Sequence, residues 1–282
     1  MTCSVQPCQS VKASPAQAGA GCFLRQRRLI FDMARQDFRN RYVGAMLGLV
    51  WSFVQPLVMT LILWAVITLA FNTNAVRGVP FALWLLTGLA AWNYFSEALF
   101  MTTGVFQEYA FLVKKVRFDI TILPLVKIGS TLVAHIIFLL IVMLILWSSG
   151  IWPSLYWLQL LYYMLALVML LQGLSWLTSA LNVFARDVAY IVNVLLQFGF
   201  WMTPIFWDSG MLPERYQQSL ALFIKLNPLA YIVLGYRQSF FLHTPFWADM
   251  SATLYFWAIT GALLLAGGLV FRKLKPHFAD VL

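Results

Sequence analysis

The 282 residues are 62% hydrophobic and only 10% charged, and they include 12 Trp and 23 Phe. A soluble domain carries about one-quarter charged residues, so this balance excludes an ordinary soluble protein and indicates a chain with several membrane spans. The net charge of +9 could suggest nucleic-acid binding, but the Lys and Arg residues flank apolar runs rather than one soluble face. Such flanking charge is typical of membrane orientation, so we expect no nucleic-acid partner.

The first 24 residues form a segment rich in Ala, Gly, Ser, Pro and Gln without a continuous apolar stretch. A signal peptide requires an apolar core, so we expect a disordered cytoplasmic tail instead. The cysteines, Cys3, Cys8 and Cys22, all lie in this tail, without metal-ligand spacing or a nearby His cluster. They predict no metal site and no redox chemistry.

Residues 25–43 have the pattern of a basic amphipathic helix lying at the membrane surface. Apolar or small residues recur every fourth position at Ile30, Ala34, Phe38 and Tyr42, and Arg residues occupy much of the remainder. The helix could be a simple lipid-headgroup anchor, or its surface could also touch a cytoplasmic partner. The candidate contact residues of this interface helix are Arg35, Asp37, Phe38, Arg39, Arg41 and Tyr42.

Uncharged runs locate the membrane spans, because a helix needs about 20 apolar residues to cross the hydrocarbon layer. The chain contains six such stretches, interrupted by Ser148-Ser149-Gly150 and by Arg186-Asp187. The predicted spans cover about 46–71, 81–103, 124–147, 157–182, 188–207 and 250–271. We therefore predict an all-α integral membrane protein with six transmembrane helices in a single domain over residues 25–282.

The distribution of Lys and Arg predicts the orientation of these spans. If the N-terminus is cytoplasmic, the outer segments contain only four of the 19 Lys and Arg residues, namely Arg77, Arg215, Lys225 and Arg237. All the other Lys and Arg residues then lie on the inner side. By the positive-inside rule, we expect both termini in the cytoplasm.

The segment between the second and third spans mixes aromatic side chains with both charge signs on the predicted cytoplasmic side. Such a mixture suits docking into a groove of another protein, although an ordinary positive-inside loop with interfacial aromatics would look similar. The candidate docking residues are Glu108, Tyr109, Phe111, Lys114, Lys115, Arg117 and Asp119.

Residues 208–237 lie between the fifth and sixth spans and are too polar to form a span. The longest uncharged run here has 11 residues, Leu226 to Tyr236, and contains Asn227-Pro228. Runs of this length suggest a re-entrant helical hairpin that dips into one membrane face. The candidate residues of this outer hairpin are Pro204, Phe206, Trp207, Asn227 and Pro228.

Ionisable residues within the predicted spans are sparse: Glu97, Lys127 and His135. An ion-coupled carrier would be expected to contain a buried acidic relay, so this scarcity argues against one. His135 is better read as a hydrogen-bonded packing residue than as a proton carrier.

Aromatic clusters could either belong to the interfacial belts or line a path for sugars, whose faces stack on flat rings. Repeated weak stacking sites would suit a long moving polymer. The candidate channel residues are Trp51, Phe53, Trp92, Tyr94, Phe198 and Trp201.

The sequence contains neither a phosphate-binding Gly-x-x-x-x-Gly-Lys-Ser/Thr loop nor a recognisable catalytic triad, zinc spacing or carboxylate pair. We therefore expect no enzymatic activity and no cofactor bound by this chain. If ATP drives it, a partner subunit must bind the ATP.

Four sequence motifs resemble those of permeases in the type-2 ABC exporter superfamily, in the branch that exports O-antigen, capsule or teichoic-acid chains. The similarity spans roughly Arg25 to the C-terminus. Its carriers are Ala34-Arg35-Gln36-Asp37-Phe38-Arg39-Asn40-Arg41-Tyr42 followed by Gly44, Leu47-Gly48 and Trp51; Leu181-Asn182-Val183-Phe184-Ala185-Arg186-Asp187; Phe200-Trp201-Met202-Thr203-Pro204-Ile205; and Asn227-Pro228. The Phe184-Ala185-Arg186-Asp187 and Thr203-Pro204-Ile205 signatures look closer to O-antigen permeases than to capsule permeases.

The resemblance implies a homodimer in the bacterial inner membrane with a channel along the subunit interface. Residues 25–42 would correspond to the family's interface helix, residues 108–119 to the helix that couples to the ATPase, and Pro204 to Arg237 to the re-entrant outer helices. It implies as partners a second copy of the chain, two copies of an ABC ATPase subunit that hold ATP and Mg, undecaprenyl-diphosphate-linked polysaccharide, and membrane lipids. The alternatives are a type-2 permease for a drug or lipid, an ion-coupled carrier and, least favoured, a membrane-embedded enzyme.

Overall fold

A computed structural model of the chain describes residues 29–41, 50–71, 75–111, 120–208 and 224–281. These residues are mostly helical, which confirms the predicted all-α class. The predicted tail, residues 1–24, lies outside the described residues.

The main helices follow the predicted segments closely, and a small β-hairpin joins the second and third of them. In chain order the elements are α1 (29–41), α2 (Trp51–Phe71), β1 (Ala75–Val76), β2 (Val79–Pro80), α3 (Phe81–Thr103), α4 (Val105–Glu108), α5 (Leu123–Ser148), α6 (Gln159–Phe184), α7 (Asp187–Met202), α8 (Pro228–Arg237), α9 (Met250–Leu274) and α10 (Phe278–Val281). The short strands pair antiparallel, with Val76 opposite Val79.

Three of the described helical segments are long and apolar enough to cross a membrane: Ile120–Ser148, Leu155–Phe184 and Met250–His277. Two shorter apolar helices, Val54–Ala70 and Asp187–Met202, accompany them. The chain is therefore organised as a helical membrane protein, and the full set of six spans stays a prediction.

Proline residues explain where α7 ends and where α8 begins. The predicted fifth span extends to residue 207, but α7 ends at Met202, because Thr203 adopts an extended conformation before Pro204. The helix α8 begins at Pro228, and the Asn227 side chain accepts a hydrogen bond from the Leu229 backbone N–H. Asparagine at the N-cap followed by proline at the first helical position is a strong start signal.

The core of the protomer surrounds α3, which packs against α2, α5, α6 and α8. Trp84, Leu85 and Ala90 of α3 are fully buried, as are Tyr163 and Tyr236 of the neighbouring helices. A smaller apolar cluster joins α4 to the ends of α6 and α9 through Phe106 and Phe271. Since α3 has 23 residues, its two ends lie about 34 Å apart, and each end carries a cluster of polar residues.

The close packing of α6 against α9 depends on Gly173 and Gly267. A Cβ atom at Gly267 would lie 2.3 Å from the carbonyl oxygen of Gly173. The two backbones therefore approach more closely than any larger residue would allow.

We expect Gly267→Ala to destabilise the folded protein by about 1–3 kcal/mol, because the added methyl group would push the two helices apart. Thermal unfolding in detergent, followed by size-exclusion chromatography, would measure the loss. Gly268→Ala is the matched control, since a Cβ there would meet only the Trp176 ring at 3.8 Å. Equal melting temperatures for the two variants would contradict this account.

Candidate functional site

The first polar cluster, the Lys127 network, joins three separate parts of the chain beside the C-terminal half of α3. Lys127 lies in the second turn of α5, Asp37 in α1, and Glu108 at the end of α4. Lys127 Nζ lies 2.6 Å from Asp37 Oδ1 and 2.8 Å from Glu108 Oε1. One ammonium group thus holds the predicted interface helix to the start of the predicted docking segment.

Tyr109 strengthens this link from the residue after α4. Its hydroxyl donates a hydrogen bond of 2.9 Å to Asp37 Oδ1, and its ring lies 5.3 Å from Lys127 Nζ. The side chains of Lys127 and Asp37 are only 4% and 6% exposed, whereas that of Glu108 is 52% exposed. Because little water reaches Asp37, its interaction with Lys127 is much stronger than a surface ion pair.

Arg41 extends the network from α1 to α3. Its guanidinium group forms an ion pair with Glu97 of α3 and lies 3.8 Å from Asp37, one helical turn earlier. The interface helix is therefore attached to α3, α4 and α5 at once.

The electrostatic environment keeps Asp37 ionised. Burial alone would raise the pKa of the Asp37 carboxyl, but the hydrogen bond and charge of Lys127 bring it below its usual value. Burial and the neighbouring Asp37 charge raise the pKa of Tyr109, which therefore stays protonated as a donor. A lowered carboxyl pKa means that Asp37 stabilises the fold above its unfolded-state pKa and loses that contribution as the pH falls through the folded value.

The remaining residues predicted for the interface helix and the docking segment are distributed around this network. Arg35 and Arg39 are exposed, Phe38 is half-buried, and Phe111 is exposed just beyond α4. Outside the described residues lie Tyr42, Lys114, Lys115, Arg117 and Asp119.

The second polar cluster lies at the beginning of α3 and is built on Arg237, the last residue of α8. The guanidinium group donates to the backbone carbonyls of Pro204, at 2.6 Å, and of Ile205. It also lies 4.1 Å from the centre of the Trp84 ring, and the residue is completely buried. Gly88 makes room for it, since a Cβ there would lie 2.8 Å from Arg237 Nη2.

Arg237 and Asn227 together hold the loop that follows α7. Asn227 donates from Nδ2 to Thr203 Oγ1 at 3.0 Å, so the start of α8 contacts the same loop as its end. Trp207 folds back to donate to the backbone carbonyl of Trp201, and Phe206 packs edge-on against the Trp201 ring. The structure therefore brings together the predicted hairpin residues Pro204, Phe206, Trp207, Asn227 and Pro228.

The predicted channel aromatics fall into two groups. Trp51, Phe198 and Trp201 are more than half exposed on α2 and α7. Trp92 and Tyr94 are instead buried inside the protomer, where Tyr94 stacks on His135 with ring centres 4.6 Å apart. The placement of these two in a channel does not agree with this packing, because α3 is surrounded by helices. The Phe53 side chain lies outside the described atoms.

His135 is a buried packing residue, as the sequence predicts. Its Nε2 lies 3.0 Å from the hydroxyl oxygen of Tyr236, and Tyr94 covers its ring. Within the described residues, no group of three or more His, Cys, Asp or Glu side chains could hold a metal ion.

Sequence reasoning did not identify Lys127 and Arg237 as site residues. From the sequence, Lys127 is recognised only as a basic residue near the inner end of a predicted span. Arg237 is recognised only as one of the few basic residues assigned to the outer segments. The apolar run from Pro228 to Tyr236, with its N-cap signal, does predict a short buried helix. An arginine at its end could have been recognised as a buried cation in need of acceptors.

Comparison with known proteins gives a consistent result over most of the chain. A family model described as "ABC-2 type transporter" matches residues 28–241. The chain is 29% identical over 266 residues to an "O-antigen export system permease protein RfbA" of Klebsiella pneumoniae, which covers 90% of this chain and 95% of that protein. A second protein of that name from Klebsiella pneumoniae is 28% identical over 257 residues, and one from Myxococcus xanthus is 26% identical over 254 residues, with the same coverage.

Proposed function

We propose a function for this chain on the basis that it belongs to the ABC-2 type transporter family. It is the membrane-spanning permease subunit of an ATP-driven exporter of lipid-linked polysaccharide. O-antigen is the favoured cargo. The observation that carries this proposal is similarity over nine-tenths of the chain to three proteins named as O-antigen export permeases.

The energy for export would come from a separate ABC ATPase subunit that binds ATP and Mg. The chain has no phosphate-binding loop motif, and its longer helices are apolar. The Lys127 network supports a mechanical connection to such a partner. Movement of the segment that follows Glu108 would pull on Lys127 and, through Asp37, on the interface helix.

The path for the polymer would lie between two copies of the chain. Support comes from the exposed aromatic side chains of α2 and α7, among them Trp51, Phe198 and Trp201. In the proposed path, these rings would offer weak stacking sites that a sugar chain could leave as easily as it enters. In this arrangement α2 and α7 face the partner copy.

The proposed topology has six spans with both termini in the cytoplasm. The helices α2, α3, α5, α6, α7 and α9 would supply them. The helix α7 has 16 residues and reaches only about 24 Å, less than the roughly 30 Å hydrocarbon layer. The loop held by Arg237 would therefore complete the crossing at the outer face.

Deletion of the gene in its host tests the function directly. We expect surface O-polysaccharide to be lost while lipid-linked polymer accumulates in the cytoplasm, because synthesis continues without export. Immunoblots of intact cells and extraction of the lipid-linked pool would measure the two quantities. The wild-type gene supplied on a plasmid is the control and should restore the surface polymer. Unchanged surface glycan in the deletion strain would contradict polysaccharide export and favour a small-molecule cargo.

A further inference from the structure

A cavity of about 240 Å³ lies next to the loop that Arg237 holds. Four parts of the chain enclose it: the turn of the β-hairpin, the loop after α7, the helix α8 with the residues before it, and the segment leading into α9. We name it the Tyr255 cavity. The lining residues used below are Arg77, Asp208, Lys225, Tyr231, Gln238, Phe246, Asp249 and Tyr255.

The charges that line the Tyr255 cavity balance each other. Arg77 Nη2 lies 3.0 Å from Asp208 Oδ1, and Lys225 adds a second cation near the carboxylate of Asp249. Among the described residues that line the cavity, two cations and two carboxylates leave no net charge, so a phosphate group or another anion would gain no overall attraction from them. The lining favours an uncharged polar ligand.

The cavity offers hydrogen-bonding groups in fixed positions. Asp249 Oδ1 accepts hydrogen bonds from Ser251 Oγ at 2.7 Å and from the Ala252 backbone N–H at 3.0 Å, so Oδ2 can accept from a ligand hydroxyl. Gln238 Oε1 accepts from the Tyr163 hydroxyl at 3.1 Å, which orients the amide N–H₂ group as a donor. A ligand with several hydroxyl groups could use the acceptor and the donor together.

Aromatic rings form the remaining walls together with aliphatic residues such as Ile224 and Leu234, and the rings are themselves held in place. Phe246 stacks on Tyr162 with ring centres 4.2 Å apart, and the Tyr255 hydroxyl donates to the Leu226 carbonyl oxygen at 3.3 Å. Tyr231 shares a hydrogen bond with Thr253 Oγ1 at 3.1 Å. Preorganised rings beside polar groups suit the apolar faces of a sugar, because binding then costs little side-chain entropy.

The backbone at Arg77 gives independent support for a built site. Arg77 has a φ of 50° and Gly78 a φ of 79°, the geometry of a tight hairpin turn that strongly favours Asn or Gly. An arginine in this conformation is strained, and such strain concentrates at ligand sites. Its bond from Nε to Asp208 Oδ2, at 3.1 Å, places the guanidinium at the wall of the cavity.

We propose that the Tyr255 cavity binds a single uncharged sugar ring of the exported polysaccharide. This inference rests on the proposed export function. The volume is below the roughly 300–1,000 Å³ typical of pockets for drug-sized ligands, so one ring fits better than an extended oligosaccharide. Bound here, one sugar at a time would be held beside the loop after α7, at the proposed exit of the path.

Photo-crosslinking during export tests the proposal. p-Benzoylphenylalanine is placed at position 255, at position 247 or at position 201, in cells whose polysaccharide is radiolabelled through its sugars. We expect labelled glycan on the protein after irradiation at 255 and not at 247. Position 247 is the matched control, because Trp247 is exposed close by but does not line the cavity. Position 201 reports on the proposed path itself.

The outcomes separate the cavity from the function. Glycan captured at 201 but not at 255, or phospholipid alone captured at 255, overturns the sugar site and leaves export intact. Glycan captured at neither position, with surface polysaccharide unchanged on gene deletion, overturns the export function as well. As a second readout, Gln238→Leu should reduce the amount of glycan captured at position 255 roughly three- to tenfold, which is the effect expected from the loss of one hydrogen bond. Unchanged capture in that variant also contradicts the sugar site.

Discussion

Replacing Arg237 with leucine should destabilise the folded protein by about 2–4 kcal/mol, because two buried carbonyl groups would each lose their donor. Pro204 and Ile205 lie in irregular backbone, and the acceptors are out of reach of water. Removal of the buried charge would recover some desolvation energy. The loss of the donors should outweigh that gain, since leucine cannot contact either carbonyl. Thermal unfolding of purified protein in detergent would measure the effect.

The comparison of several substitutions at Arg237 separates hydrogen bonding from charge. Arg237→Lys keeps the charge but presents one donor group where the guanidinium spans two carbonyls, so it should restore only part of the stability. Arg272→Leu is the control, because Arg272 is exposed at the other end of the bundle. If the Arg237→Leu variant had the same melting temperature as the wild-type protein, Arg237 would not hold the loop after α7.

Replacing Lys127 with methionine should remove the cation shared by Asp37 and Glu108 and lower stability by about 3 kcal/mol or more. Most of this cost falls on Asp37, which is buried, whereas the half-exposed Glu108 can turn to water. If the network transmits force, the complex of this variant with the proposed ATPase subunit should also export less polymer for each ATP hydrolysed. Reconstituted vesicles containing the permease and the proposed ATPase subunit would measure stability-independent export and ATP hydrolysis together.

A double variant distinguishes transmission from folding at this site. Lys127→Met combined with Asp37→Asn removes both members of the buried pair, so stability should recover while the export per ATP stays low. Lys273→Met is the matched control, since Lys273 is an exposed lysine near the same end of the bundle. Recovery of export in the double variant would show that Lys127 is only a structural residue.

Local sequence signals predicted the helices because apolar runs and prolines act over short distances. The run from residue 81 to 103 became α3 with the same bounds, and Asn227-Pro228 started α8. The error at the end of α7 was also local, since the apolar run continued past Thr203 while proline ended the helix. Hydrophobicity alone therefore overestimated the length of the helix α7.

The grouping of side chains into sites could not be predicted in the same way. Asp37, Glu108 and Lys127 are separated by long stretches of chain, and no spacing rule shows that one ammonium group contacts both carboxylates. Tyr94 and Trp201 looked alike as aromatic residues in apolar runs, yet one is buried in the protomer and the other is exposed. Which face of a helix meets its neighbours depends on all the helices together.

The sequence by itself determined the class of protein, the approximate helices and the family, because composition, apolar runs and motifs are properties of the chain that need no neighbours. The tertiary structure alone decided that Arg237 is a buried anchor rather than an exposed basic residue, that Lys127 joins the interface helix to α4, and that the Tyr255 cavity exists. The physical reason is that burial, ion pairing and cavity shape arise between segments distant in sequence, and only packing brings those segments together.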